Sequence, residues 1–157
     1  DRRPARALAA EGAGLALHFH LHPEPLGAIA GESTAPSLVV GADLRVEREV
    51  DRLFAESLAT LGRLDAVVVN AGIWNAAVSP LHEMTLRQWQ ETIEADLTSA
   101  FLTCRGFLRH LAQVPRQSAS IVLVGSTAAL FGEADHADYA AAKVVYKAIA
   151  YAMTART

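Results

Sequence analysis

The chain has 157 residues, a net charge of −3 and 52% hydrophobic residues. That suffices for one domain with a buried core and is too apolar for a disordered chain. No basic run points to nucleic acid, and no apolar run approaches the roughly 20 residues of a membrane span.

In chain order, Asp1-Arg2-Arg3-Pro4 leads into a polar-faced helix over 4–11 that Gly12 stops; it does not read as the apolar region of a secretory leader. "LALHF" (15–19), "SLVVGA" (37–42), "DAVVVN" (65–70) and "SIVLVG" (120–125) are short apolar runs, continuous rather than alternating. Strands buried on both faces of a parallel sheet read this way. A short helix is expected over 24–34. Over 46–62, Val46, Val50, Leu53, Phe54, Leu58 and Leu61 form one helical stripe, with Gly62 as its stop. "GIWNAAVSPLHEM" (72–84) is a long loop directly after a strand, suited to a lid or substrate wall. A long helical segment over 85–113 opens with Thr85 as N-cap. It contains the single Cys104, which permits no internal disulfide and fits a reducing, cytoplasmic setting. An Ala-rich helix covers 136–157. Helix and strand thus alternate from end to end, which predicts a single α/β domain with a mostly parallel sheet and helices on both faces.

The chemistry-bearing residues gather at strand ends. Ser126 follows "SIVLVG", at the carboxyl edge of the sheet. Tyr139 and Lys143 are i and i+4 on the next helix and share a face. A free Tyr titrates at about 10, and a neighbouring ammonium favours its phenolate. A Ser hydroxyl beside such a Tyr can hold a carbonyl oxygen while the Tyr passes a proton. The plainer alternatives are a solvated Tyr–Lys pair and a Ser that only shapes a turn. Asn70-Ala71-Gly72 closes the third strand with small residues that admit a flat ligand, or simply turn the chain. Asp43-Leu44 closes the second, either edging a flat ring or capping the following helix.

The ordered set "NAG", "DLTSAFL", "GS" and "YAAAK", with Ser126 thirteen positions before Tyr139, resembles the short-chain dehydrogenase/reductase family, including its 3-oxoacyl-carrier-protein reductases. The resemblance implies a Rossmann-type three-layer fold and NAD(P)-dependent oxidoreduction. It makes Tyr139 the proton donor or acceptor, lets Ser126 orient the carbonyl, and has Lys143 lower the Tyr pKa and bind the nicotinamide ribose. It lines the cofactor with Asn70, Ala71 and Gly72 and flanks adenine with Asp43 and Leu44. Where the family usually has Asn, this chain has Asp96, a near-isostere that when ionised only accepts hydrogen bonds. Asp96 either keeps the proton relay with altered pH dependence or is tolerated structurally.

The family's glycine-rich phosphate turn, between a first strand and a first helix, has no counterpart here. Gly12 and Gly14 follow a helix and precede a strand, so they read as a helix stop and turn. The sequence therefore reads as a domain without its first strand and without the strands that usually follow the last helix. Loss of the first strand would separate 15–19 and 37–42 from 65–70 and 120–125.

No Asp or Glu stands at the tip of the first apolar run, where His20 and His22 lie. That favours NADP over NAD without excluding NAD. His18, His20 and His22 alternate on a strand but lack a carboxylate or Cys partner, so no metal site is assigned. A homodimer or homotetramer is expected through helices 85–113 and 136–157, with Phe101, Phe107, Val145, Ile149 and Tyr151 as outer or core positions. The leading function is hydride transfer between NADP(H) or NAD(H) and a small carbonyl or alcohol. Ile73, Trp74, Val78 and Leu81 suit an apolar or mixed substrate. A non-catalytic nucleotide-binding subunit and an epimerase or dehydratase are the alternatives.

Overall fold

The computed structural model describes residues 3–76, 78–114 and 118–154. Its elements are α1 (Arg3–Ala10), β1 (Leu15–Phe19), α2 (Glu24–Glu32), β2 (Ser37–Gly41), α3 (Glu47–Leu61), β3 (Ala66–Val69), α4 (Leu86–Thr92), a π-helical turn (Ile93–Thr98), α5 (Ser99–Gln113), β4 (Ser120–Leu123), α6 (Ala128–Phe131) and α7 (Ala137–Thr154). The alternation read from the sequence holds, with a short α6 added before the last helix. Residue 77 of the expected loop and residues 155–157 of the expected last helix lie outside the described residues.

Of the described residues, those up to Val67 and from Arg105 to Ser120 make one compact unit. Those from Val68 to Cys104 and from Ile121 onward make a second. In the first unit, β1 and β2 pair in parallel, from Leu15 opposite Ser37 to Phe19 opposite Gly41. Leu15 and Leu17 share a face by the period of two along a strand. They form a core with Ala9 of α1 and Ile29 of α2, against which Leu26 and Val39 pack. Burying each such aliphatic side chain is worth roughly 1.5–3 kcal/mol.

Helix α3 also packs on this strand pair and buries Val50 and Phe54 from its apolar stripe. It ends where the sequence places its stop. Gly62 has φ +71°, a conformation glycine adopts without a Cβ penalty, and its N–H donates to Leu58 O at 2.8 Å. Gly12 ends α1, its N–H donating to Ala9 O; it is the helix stop read from the sequence.

The strands β3 and β4 pair with each other. Ser120 N donates to Asp65 O and Val124 N to Val69 O, each at 3.0 Å. The constant offset between partners makes the strands parallel. Among the described residues, β1–β2 and β3–β4 are two separate two-stranded sheets. The expected burial on both faces is not met for the second pair. Val68, Val122 and Val124 are 36%, 49% and 37% exposed. A pair of strands has two open edges and little width, so alternate side chains are not covered equally.

The segment expected as one helix over 85–113 opens as anticipated. Thr85 has an extended backbone, and its hydroxyl accepts from Gln88 N at 3.1 Å. The regular ladder then breaks at the π turn, where Ser99 N reaches back five residues to Glu94 O. Phe107 is fully buried and belongs to the core, whereas Phe101 is exposed. Among the described residues no helix is long and apolar enough to cross a membrane.

The cap carries a direct test. Thr85→Ala should lower the unfolding free energy by about 1 kcal/mol in urea titrations, while Thr85→Ser should stay near wild type.

Candidate active site

The second unit collects seven of the expected site positions, six of them on three supports. Val69 is the buried end of β3, and Asn70, Ala71 and Gly72 continue from it. Ser126 stands just past β4, where its hydroxyl accepts from Ala128 N at 3.2 Å and so shapes the entry to α6. Tyr139 and Lys143 lie one turn apart on α7. Asp43 and Leu44 belong to the first unit, just past β2.

The first turn of α7 is anchored by Asp138, which sequence reasoning missed. It is 1% exposed, and its carboxylate accepts from Thr92 Oγ1 at 2.8 Å, Gln88 Nε2 at 3.4 Å and Tyr139 N at 2.8 Å. An acidic residue also suits a helix N-terminus electrostatically. Its only sequence signal is an Asp in the first turn of an Ala-rich helix. The effect is to fix the backbone of Tyr139 against α4.

The π turn brings Asp96 to the other side of the same helix. Asp96 is fully buried; its Oδ1 accepts from Ile73 N at 2.6 Å, which ties the chain leaving β3 to the π turn. Its Oδ2 faces Lys143 Nζ at 3.7 Å, an ion pair too long for a hydrogen bond. Among the described residues Oδ2 has no hydrogen-bond partner. Burial pushes the Asp96 carboxyl above its usual range and the Lys143 ammonium below its own; the opposite charge of each partner works against both shifts.

Gly72 must stay small for this pair. A Cβ there would sit 2.8 Å from Asp96 Oδ1 and 3.0 Å from Lys143 Nζ.

Tyr146 is a second residue that sequence reasoning missed, because it reads as one more apolar position of α7. Its hydroxyl accepts from Lys143 Nζ at 3.1 Å and donates to the Asp96 carbonyl at 2.6 Å. Burial, reinforced by the charge of Asp96, pushes that hydroxyl well above its usual range. Lys143 Nζ stands 4.7 Å from the Tyr146 ring centroid and 5.6 Å from that of Tyr139.

The loop after β3 forms a wall beside Tyr139. Trp74 meets the Tyr139 ring edge-on, with centroids 4.8 Å apart, and lies against the buried His136 at 4.1 Å. Ser79 N donates to the carbonyl of Asp135, a non-glycine residue at φ +59°, and so pins the loop to the turn before α7. Trp74 remains half exposed, with Ile73, Val78 and Leu81 also open.

In the first unit Asp43 is not the N-cap of α3; Val46 is. The Asp43 carboxylate is instead gripped by Arg45, through its backbone N–H and its guanidinium, which with the backbone bond holds it down at about 2. Asp43 N donates to Glu49. His18 Nε2 donates to Ala42 O at 2.8 Å, and His20 lies 3.8 Å from Asp43.

The donors present suit part of a dinucleotide. Asn70, Ser126, Tyr139 and the buried Lys143 ammonium match hydroxyls, an amide and a carbonyl oxygen. No described glycine turn leads from a strand into a helix in the way pyrophosphate binding needs.

The model of the short chain dehydrogenase family matches residues 2–156. A Mycobacterium tuberculosis protein, (5R,7aS)-5-hydroxy-7a-methyl-1-oxo-2,3,5,6,7,7a-hexahydro-1H-indene-carboxyl-CoA reductase, is 34% identical over 145 residues, covering 88% of this chain and 53% of the relative. The cis-4-hydroxycyclohexanecarboxylate dehydrogenase of Sinomonas cyclohexanicum is 37% identical over 107 residues, covering 68% and 42%. The crystal structure of a short chain dehydrogenase from Mycobacterium smegmatis superposes with a TM-score of 0.84 at 28% identity, covering 92% of this chain and 60% of that one. The chain spans about half the length of the curated relatives it matches.

The Asp96 shift fixes the sign of a pH effect. A carboxyl raised by burial holds its proton more tightly folded than unfolded. Its favourable contribution is therefore full below the ordinary carboxyl range and is lost as pH rises through the raised folded value. The unfolding free energy of wild type minus that of Asp96→Asn should decline from about pH 4 upward, as read by urea titrations at a series of pH values.

Proposed function

We propose, because the chain belongs to the short-chain dehydrogenase family, that it carries the proton-transfer half of an NAD(P)-dependent oxidoreductase acting on a small carbonyl or alcohol. The observation that carries this reading is the buried Lys143 ammonium one helical turn from Tyr139, held by Asp96 and Tyr146 at 5.6 Å from the Tyr139 ring centroid. The bound nicotinamide would supply or accept the hydride at the substrate carbon. Tyr139 gives the proton to the carbonyl oxygen in reduction and takes it from the alcohol in oxidation. The positive charge of Lys143 favours the phenolate left as the proton departs, and the Ser126 hydroxyl holds the substrate oxygen. Asn70, Ala71 and Gly72 are assigned to the cofactor side, with Tyr139 and Lys143 toward its ribose, and Asp43 and Leu44 to the adenine. Their positions just past β3 and β2 support this. Asp96 is assigned to the relay as the partner of Lys143.

NADP(H) is the preferred cofactor in this proposal. No Asp or Glu follows β1 directly in the sequence, where the exposed His20 and His22 stand, and an acidic residue at that position would repel the extra phosphate. Phe101 and Tyr151, both exposed, support a homodimer or homotetramer joined through α5 and α7. A non-catalytic subunit is disfavoured. Asp96 was its one support, and here Asp96 is the counter-ion of Lys143.

The substrate we assign is an alicyclic ketone or secondary alcohol. Trp74 offers a half-exposed ring beside Tyr139, and Ile73, Val78 and Leu81 extend the apolar surface of its loop. The two relatives described above carry a hydroxylated carbocycle in their names. An apolar ring stacked on Trp74 leaves its carbonyl free for the Tyr hydroxyl.

NADPH and NADH oxidation against a panel of cyclic and linear ketones tests all of this. Tyr139→Phe should lower kcat/KM by about 10²–10⁴, and turnover that survives it would refute the mechanism. Trp74→Ala should raise KM for cyclohexanones more than for linear ketones; an equal effect on both would remove the ring assignment.

A further inference from the structure

The π turn leaves carbonyls for side chains to satisfy. Around it, Ser99 Oγ donates to Ala95 O at 2.5 Å and Thr103 Oγ1 to Ser99 O at 2.8 Å. At Asp96 the donor comes from another helix, as the Tyr146 hydroxyl. That hydroxyl uses its proton on the carbonyl and presents a lone pair to Lys143 Nζ. One phenol therefore joins the lysine to the backbone of the π turn, while the Asp96 carboxylate faces the same ammonium from the side.

We propose that Tyr146 is a positioning residue: its hydroxyl holds Lys143 charged and fixed one turn from Tyr139, and anchors it to the carbonyl of Asp96. This rests on the proposed function for its purpose, though the link itself does not. Lys143 is 5% exposed, so almost no water replaces an acceptor that is removed. Asp96 Oδ2, at 3.7 Å, supplies charge but not a hydrogen bond. The hydroxyl of Tyr146 is the hydrogen-bond acceptor Lys143 has among the described residues. The other titratable groups around this cluster are Asp138 and Tyr139 on α7 and Cys104 on α5; Asp138 acts on Asp96, and Tyr139 and Cys104 on Tyr146.

Removal of the hydroxyl has a definite sign. Tyr146→Phe keeps the ring and the burial but takes away an acceptor that the ammonium form uses more strongly than the neutral amine does. The charged form loses, and the titration midpoint of Lys143 falls.

The chain has two lysines, Lys143 and the exposed Lys147, so side-chain NMR of isotope-labelled lysine resolves the question in the full chain. Lys147→Arg and Lys143→Arg assign the signals. Tyr146→Phe should lower the Lys143 midpoint by about one to two units and leave Lys147 in place. An unchanged Lys143 midpoint in Tyr146→Phe would overturn the proposal. Should that variant not fold, the wild type still decides. Lys143 ammonium protons must show cross-relaxation to the Tyr146 ring, and its absence refutes the link. These readouts do not depend on turnover. Loss of the Tyr139 mechanism would leave the lysine link standing, and loss of the link would leave that mechanism to its own test.

Discussion

The second unit is organised around one buried charge pair. Asp96 and Lys143 are both withdrawn from water, a placement that costs several kcal/mol per ion unless the remaining lone pairs and protons find partners. Each neighbour answers part of that demand. Ile73 N supplies a hydrogen bond to the carboxylate, Tyr146 supplies an acceptor to the ammonium, and Gly72 stays small enough for both to approach. The chain leaving β3, the π turn and α7 thus meet at a single electrostatic centre. Removing either partner would leave the other buried and uncompensated, which is more damaging than replacing both.

A second buried carboxylate, Asp138, plays a different part. Its hydrogen-bond partners among the described residues are neutral donors on α4 and its own helix, so it orders the backbone. The two acids divide the labour along α7. Asp138 sets where Tyr139 begins, and Asp96 sets where Lys143 ends. Trp74 meets one side of the Tyr139 ring and stays half exposed itself.

Much of this was legible in the residues because it depends on local physics. Continuous apolar runs marked the four strands, Thr85 marked a cap, and Gly62 marked a stop at a left-handed backbone position. Ser126, Tyr139 and Lys143 were readable from spacing along one strand and one helix. What stayed hidden depends on distant partners. Tyr146 looks apolar until the Asp96 carbonyl is known to face it, fifty positions away. The crowding of Gly72 stayed hidden because its neighbours Asp96 and Lys143 come from other elements. Asp43 looked like a helix cap, but Arg45, two positions on, offers a charged fork that a backbone N–H cannot match. The width of each sheet was also beyond local pattern, and with it the exposure of Val122 and Val124.

The π turn has a geometric consequence of its own. One residue subtends about 100° at 3.6 residues per turn, so a turn holding an extra residue rotates every later side chain by about that angle. Helices α4 and α5 are therefore two segments of different phase. The aim of Asp96 is set by how many residues lie between Ile93 and Thr98 as much as by which residues they are. A protein with the same side chains but one residue fewer there would spell the same motif and point its carboxylate elsewhere. In this stretch the chain encodes direction by counting.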